Sequence, residues 1–483
     1  MRNAGRHANN QPMLASPELE AGIGRWSAAL AANGKPIFTL DQIVHQLTIS
    51  GTAWNGIGSN PVPNGGLGTI SYGFFDLAAQ VYSSERTEFQ PLSDAQRDAV
   101  RNAFSIWGEL INVTFVERPV STADINFGNL NTTDDYYSAY ANHPSKSREG
   151  GDIWINLHSQ SNQEIGLAQP GFRTLLHEMA HALGISHPGN YNAAPGVTLT
   201  YEANAEYYQD SLQYTIMSYF PSSSTGAVRT SFAATPLTHD IAAIQSIYGA
   251  NMTTRTGDTV YGFHSTAGRD AFDFTLNVQP VIAIWDAGGR DMLDFSGWNT
   301  NSKIDLAPGA SSDGGGQTTN VQIAFGTIIE DAIGGGGDDV MSGNAGNNVL
   351  RGGAGNDSLA GGAGFDREEG GAGADIFVFT AAGDSVESAL RSDGAKFRSD
   401  VLTDFVSGTD RIDLSAIDAN AATAPDDAFS FIGTGAFTHQ PGQLRYEVLG
   451  GQVHIYGDVN GDGGVDFQII ANGTLLQASD FIF

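Results

Sequence analysis

Residues 177–187 read His177-Glu-Met-Ala-His-Ala-Leu-Gly-Ile-Ser-His187. His177 and His181 are four residues apart, so on a helix they sit on one face, one turn above each other. Two imidazoles so placed can share a tetrahedral metal. Gly184 can adopt a left-handed conformation and end the helix, which lets the chain turn and return His187 as a third nitrogen ligand. Three protein ligands leave one position open for water, the mark of a catalytic rather than a structural zinc site. Glu178, beside the first ligand, is the natural base for that water. A bare His-Glu-x-x-His also recurs as polar surface of an ordinary helix. Gly184 and His187 fix further positions and set that bland reading aside.

The chain around this stretch has 483 residues, enough for two or three domains. It carries 53 acidic against 23 basic residues, a net charge of −30. That balance argues against nucleic acid and anionic membranes as partners and suits a protein that loads divalent cations. There are no cysteines, so no disulfide or thiolate ligand is available, and calcium is the expected substitute as a stabiliser. No apolar run approaches a transmembrane length. The polar stretch Met1–Gln11 lacks the apolar core of a secretory signal. The expectation is a protein that stays in the cytoplasm or is exported by a route that does not read its N-terminus.

Residues 1–20 read as a flexible segment, a candidate propeptide. TLDQIVHQL (39–47) fits a helix capped by Thr39 with Gln42 three residues on, and Ile43, Val44 and Leu47 on its apolar face. A Gly- and Pro-rich loop follows Trp54, then a strand over 69–75. A second helix runs over 93–110 with the stripe Ala95, Val100, Phe104, Trp107. Extended runs follow at 113–116, 123–127, 136–141 and 152–157. The metal helix begins near Phe172, and a last helix over 236–248 turns Ile241, Ile244 and Ile247 inward before Gly249. This is an α+β domain over 21–250. His158, His239 and His264 lack partners at ligand spacing and read as surface or capping histidines.

Residues 334–378 divide without gaps into five nonapeptides, GGGGDDVMS, GNAGNNVLR, GGAGNDSLA, GGAGFDREE and GGAGADIFV. Their template, G-G-x-G-x-D-x-U-x with U apolar, is a tight turn followed by a short strand, two units making one coil of a parallel β-roll. Neighbouring coils are 18 residues apart, so Asp339, Asp357 and Asp375 stack on one side and Asn348 and Asp366 on the other. Calcium between coils would be held by turn carbonyls and these side chains. The groups are Gly335, Gly337 and Asp339 with Gly352, Ala354 and Asp357; Gly353 and Gly355 with Gly370, Ala372 and Asp375; Asn344, Gly346 and Asn348 with Gly361, Ala363 and Asp366. The strict phase tells against a flexible glycine linker. Asn348 departs from the template Asp, and Glu368 stands where Met341, Leu350, Leu359 and Phe377 point inward.

From about residue 35 onward the chain resembles the serralysins, calcium-rich secreted metzincin endopeptidases. His187 is followed by Pro188, Ile216-Met-Ser-Tyr219 looks like the family's Met-turn, and the segments 254–263 and 283–291 look like family sequence. The resemblance implies a metzincin-type catalytic domain followed by an all-β roll domain (251–378) and a C-terminal β region (379–483). Met217 would form an apolar floor under the ligands. Tyr219 would be an additional zinc ligand at rest and an oxyanion donor in the reaction. Residues 137–143 would be the edge strand that pairs with extended substrate. A further calcium site would use Arg255, Gly257 and Thr259 with Asp286, Gly288, Gly289 and Asp291, and another Ile328 and Glu330. The acidic run 400–415, with Asp400, also looks like family sequence. The ending Asp480-Phe-Ile-Phe483 resembles the signal read by type I secretion, or is simply a terminal strand.

The reading is therefore an extracellular, monomeric, zinc-dependent endopeptidase acting on proteins, structured by several calcium ions and exported by type I machinery without an N-terminal signal. A calcium-dependent adhesion protein with a vestigial protease domain is the rival class. Loss of a ligand or of Glu178 would favour it, and all are present. A pore-forming toxin with the same repeats would need long apolar segments.

Overall fold

The computed structural model describes residues 30–54, 68–82, 84–133, 137–192, 194, 196–385, 399–420, 422–423 and 426–483. The N-terminal segment 1–20 and the loop over 55–67 lie outside the described residues. The chain forms two compact units. The first is Met1–Thr254 with Pro280–Ala287 and Ala324–Thr327; the second is Arg255–Gln279, Gly288–Ile323 and Ile328–Phe483.

The first unit is a helix-on-sheet domain. Strands β1 (Gly68–Phe74), β3 (Val113–Glu117), β4 (Ile125–Leu130) and β6 (Ile153–Asn156) pair in parallel, and β5 (Ala139–Ala141) runs antiparallel to β6 at the sheet's edge. The short β2 (Phe89–Gln90) pairs with β4. Strands β4 and β6 are buried along their whole length, as a parallel sheet covered on both faces requires.

The longer helices described in this unit are α1 (Leu40–Leu47), α2 (Asp94–Leu110), α3 (Pro170–Ala182) and α4 (Thr238–Tyr248). Helices α1 and α2 start at the reciprocal caps Thr39/Gln42 and Ser93/Gln96. Each cap satisfies two orphan donors and contributes about 1 kcal/mol. The buried face of α1 is Leu40, Ile43 and Leu47, with Val44 only partly covered. Phe104 and Trp107 of α2, Leu176 and Met179 of α3 and Ile241 and Ile244 of α4 meet in one core with Ile70, Ile125 and Phe127 of the sheet.

The second unit is the roll. Two sheets, parallel through the repeats, face each other, and across the repeats their strands advance by 18 residues per coil: Leu350 pairs with Glu368, Met341 with Leu359 and Leu359 with Phe377. Residues 443–472 extend one sheet with antiparallel strands. The inward side chains Ile304, Met341, Leu350, Leu359, Phe377, Leu402 and Ile412 are all buried. Glu368 occupies the same inward row between Leu350 and Leu402, 1% exposed. Neither of its carboxylate oxygens has a hydrogen-bond partner among the described residues. Coils approach so closely that a Cβ on Gly355 would lie 2.2 Å from the Gly337 carbonyl oxygen, and Gly355 holds φ +128°. Only glycine meets both demands. The final Phe481–Ile482 is a strand paired with Arg411–Asp413, and the buried Asp480 carboxylate accepts from Ser407 Oγ and Gly408 N–H.

Candidate metal centre

Helix α3 begins at Pro170, whose missing N–H costs nothing at the first helical position. It stops at Ala182, where Trp54 Nε1 donates to the Ala182 carbonyl and Tyr248 Oη to the Leu183 carbonyl. Gly184 takes φ +107°, and a Cβ there would lie 2.2 Å from the Thr52 carbonyl oxygen. The turn after it is tied to α1 through Ser186 N–H and the Leu47 carbonyl. These ties bring His187 back over α3.

The three imidazoles then converge. His177 Nδ1 donates to the Ile216 carbonyl at 2.8 Å and His181 Nδ1 to the Ile185 carbonyl at 2.7 Å; His187 Nδ1 lies 3.1 Å from both the Tyr191 carbonyl and Asn192 Oδ1. A carbonyl accepts only, so each Nδ1 carries the proton and each Nε2 presents a lone pair. Those Nε2 atoms are 3.0 Å apart for His181 and His187, and 3.3 Å for His187 and His177. Burial, reinforced by His187, lowers the pKa of His177 to about 3; burial lowers that of His187 to about 4 and that of His181 well below the usual value. Three neutral rings with lone pairs aimed at one point fit a divalent cation such as zinc.

Glu178 is 5% exposed, and burial pushes its carboxyl up to about 8. It lines a cleft of about 930 Å³ together with the three histidines, Tyr219, His143 and the edge strand β5. The backbone of β5 is the outermost of the sheet, placed for an extended chain to pair with it. Tyr219 is 39% exposed, and its ring meets that of His187 edge-on at 4.5 Å. Met217 is fully buried in the core that carries α3.

Two carboxylates that pattern reading missed brace this centre. Asp240 in α4 is 0% exposed and accepts from Thr215 Oγ1, Ile216 N–H and Leu237 N–H. Asp210 accepts from Tyr191 Oη at 2.8 Å and Ser218 Oγ at 2.7 Å, joining the loop that carries His187's acceptor to the turn that carries Tyr219. Isolated acids outside any motif give no signal in one sequence. Among the other histidines, His158 pairs with Asn131 and His264 with Asp294, but His239 is not a surface residue. It is 0% exposed and stacks between Tyr214 and Phe325, because its position on α4 faces the core.

In the roll the stacked acids form two ladders. Asp357 Oδ1 accepts from Asp339 N–H, Asp375 Oδ1 from Asp357 N–H and Asp410 Oδ1 from Asp375 N–H. Opposite, Asp366 Oδ1 accepts from Asn348 N–H and Asp400 Oδ1 from Asp366 N–H. Asp357 Oδ2 and Asp366 Oδ2 are buried with no hydrogen-bond partner among the described residues. Burial raises Asp357 to about 6, Asp366 to about 7 and Asp400 to about 8. Registered turns bring Gly353 beside Gly371 and Ala354 beside Ala372. Such oxygen-rich crevices suit a hard cation. Asn344 and Gly346 belong to a turn closed by Asn344 N–H to Asn348 Oδ1 and Gly346 N–H to Asn344 Oδ1.

Before the repeats, Thr259 N–H donates to Asp291 Oδ1, and Gly289 packs against the Gly257 backbone. Gly288 takes φ +138° and Arg255 φ +46°, while the Arg255 guanidinium is bonded to Tyr261 Oη. Asp286 is buried within the first unit. Glu330 accepts from Asp291 N–H, and the Ile328 side chain is exposed.

Comparison with known proteins matches residues 80–212 to the matrixin family model and 250–483 to the serralysin C-terminal model of peptidase M10. The chain is 40% identical to serralysin G of Dickeya chrysanthemi over 470 residues, covering 95% of this chain and 94% of that one. It is 41% identical to the metalloprotease AprA of Pseudomonas entomophila, covering 91% and 90%. It is 38% identical to a serralysin of Photorhabdus luminescens, covering 86% and 84%.

Proposed function

The chain belongs to the serralysin family of zinc-dependent metalloendopeptidases, which hydrolyse peptide bonds in proteins, and on that premise we propose the roles of its residues. His177, His181 and His187 would hold the zinc through Nε2. The observation that carries this is the convergence of three unprotonated Nε2 atoms beside the buried Glu178. When bound, zinc supplies a Lewis acid that polarises carbonyl and water oxygens. Glu178 takes the proton of the attacking water and returns it to the leaving amine, and a nearby cation favours its charged, accepting form. Tyr219 Oη donates to the oxyanion as it forms. Strand β5 holds the substrate extended by backbone pairing.

Calcium at the two ladders, at Asp400 and at the sites around Asp291 and Glu330 would fold the second unit. The domain limits follow the sequence reading: catalytic residues 21–250, calcium-binding 251–378, C-terminal β region 379–483. The protein acts as a secreted monomer, exported through type I machinery that reads Asp480-Phe-Ile-Phe483. No described helix is long and apolar enough to cross a membrane. The test is hydrolysis of casein by purified protein in excess calcium, with and without a zinc-selective chelator. Loss with the chelator and recovery on adding zinc are expected; chelator-resistant hydrolysis would refute the metal roles.

A further inference from the structure

Beside the main cleft lies a second, smaller cavity of about 220 Å³. It shares Tyr137, Ala139, His177, Glu178 and Tyr219 with the cleft and is otherwise lined by Ser138, Arg173, Thr174, Ile216 and Ser218. It has room for one side chain. The two spaces share Glu178 and Tyr219 and differ in their further lining, which includes His143, His187 and Glu206 in one and Arg173 and Ser218 in the other, so a peptide carbonyl between Glu178 and Tyr219 borders both.

Arg173 lies one helical turn before His177 and is the sole Lys or Arg among the lining residues. Its guanidinium stands 5.5 Å from the centre of the Phe232 ring and has no carboxylate partner among the described residues. Burial lowers its pKa, and no acid offsets that effect. A guanidinium still carries its charge and five donors at neutral pH. A partly buried charge without a counter-ion is costly, and fork-shaped donors match a carboxylate in two-point contact. The main cleft has the opposite character: Glu85 and Glu206 line it.

We propose that this cavity is a specificity subsite for an aspartate or glutamate side chain immediately flanking the scissile bond, with Arg173 as the residue that recognises it. The proposal rests on the peptidase reading above. An acid at the other flank would face Glu85 and Glu206, so the preference belongs to one side of the bond only.

The test uses the full chain loaded with zinc and calcium and a set of peptides that differ only at the two residues flanking one cleavable bond. Relative kcat/KM is read by mass spectrometry in competition. At one flank, Asp and Glu should be preferred over Asn and Gln by about 10- to 100-fold, the span of one charge-assisted contact. In Arg173→Gln the ratio should fall to near one, in Arg173→Lys part of it should survive, and in Arg173→Glu it should reverse toward Lys peptides. Zinc content and circular dichroism confirm that each variant is folded. If the wild type cleaves Glu and Gln peptides equally at both flanks, or if folded Arg173→Gln keeps the wild-type ratio, the subsite is wrong. A wild type that cleaves no peptide at all would overturn the peptidase reading, and the subsite with it.

Discussion

The Asp240 carboxylate accepts the Ile216 N–H at 2.9 Å, and the Ile216 carbonyl accepts Nδ1–H of His177. Asp240, 63 residues after His177, thus sets the rotation of the first of the three converging histidines through one loop residue. Asp240→Asn offers a single carbonyl oxygen to donors that the carboxylate shares between two, and its amide points protons at the rest. Zinc affinity should fall about 10- to 100-fold, the usual effect of losing a group that orients a ligand.

The same residue gives a pH signature. Burial raises its pKa from 3.8 to about 6, so in that window the folded protein holds a proton that the unfolded chain releases. The sign follows: the stabilising contribution is complete below pH 3.8 and is lost as pH rises through about 6. The stability of wild type relative to Asp240→Asn should therefore drop by roughly 3 kcal/mol from acid to neutral pH. Urea midpoints of both proteins in saturating calcium and zinc would check it; a difference that does not vary with pH would assign the carboxyl an unshifted pKa.

Glu178→Gln keeps the size of the side chain and removes the proton acceptor. Zinc should remain bound, since Glu178 is not among the three converging histidines. Peptide hydrolysis should fall by about 10²- to 10⁴-fold or more, the contribution of a positioned base. Near-normal turnover by zinc-loaded variant would remove Glu178 from the mechanism.

Tyr219→Phe separates a donor from a structural aromatic. Its ring is 39% exposed and rests on the rings of His177, His187 and Tyr191, contacts that a phenylalanine ring keeps. The variant should bind zinc and lose about 10²-fold in kcat with little change in KM, as for other oxyanion donors. Joint loss of zinc and fold would make Tyr219 structural.

How much of this was legible in sequence depends on range. The histidines, Gly184 and Glu178 follow from helical geometry within eleven residues, and the roll follows from its nine-residue period. Both are local rules, and the ladders of Asp339, Asp357 and Asp375 obey the 18-residue coil spacing. Asp240, Asp210 and Arg173 act across the fold. Nothing in their neighbours distinguishes them from solvated charges until α4, the Tyr191 loop and α3 are packed together. His239 was misread for the same reason: its place in the core is set by which face of α4 meets Tyr214.

Glu368 is the one inward roll residue that burial penalises, with neither oxygen bonded among the described residues and a pKa driven well above the usual carboxylate range. Glu368→Leu restores the apolar row between Leu350 and Leu402. The second unit should gain about 1–3 kcal/mol in saturating calcium, the desolvation cost of an unpartnered polar group. A higher urea midpoint for the loss of its β signal is the expected reading; a lower one would show that Glu368 has a ligand to hold.

The last prediction concerns the inequality of the two ladders. On one side Asp339, Asp357 and Asp375 present a carboxylate at every coil; on the other Asn348 precedes Asp366 and Asp400. Asn348 also spends its amide protons internally, on the Glu330 carbonyl at 2.8 Å and Asn344 Oδ1 at 3.3 Å. That coil is therefore partly closed by a side-chain amide where the first ladder stacks carboxylates. Without calcium, like charges should repel along the acidic ladder while the glycine turns carry a large ordering cost, so folding and ion binding are expected to coincide. Asn348→Asp should remove the internal closure and add a carboxylate. The second ladder should then fill at lower calcium, while the chain without calcium becomes less ordered. Asp357→Asn should do the reverse on the first ladder and raise its midpoint, because Asp357 lies between two coils. Circular dichroism of the full chain during a calcium titration, with the chelator-treated protein as the starting point, reads both effects. Coincident midpoints for wild type and Asn348→Asp would sink the asymmetry, and a complete β signal in excess chelator would show that the roll folds without the ion.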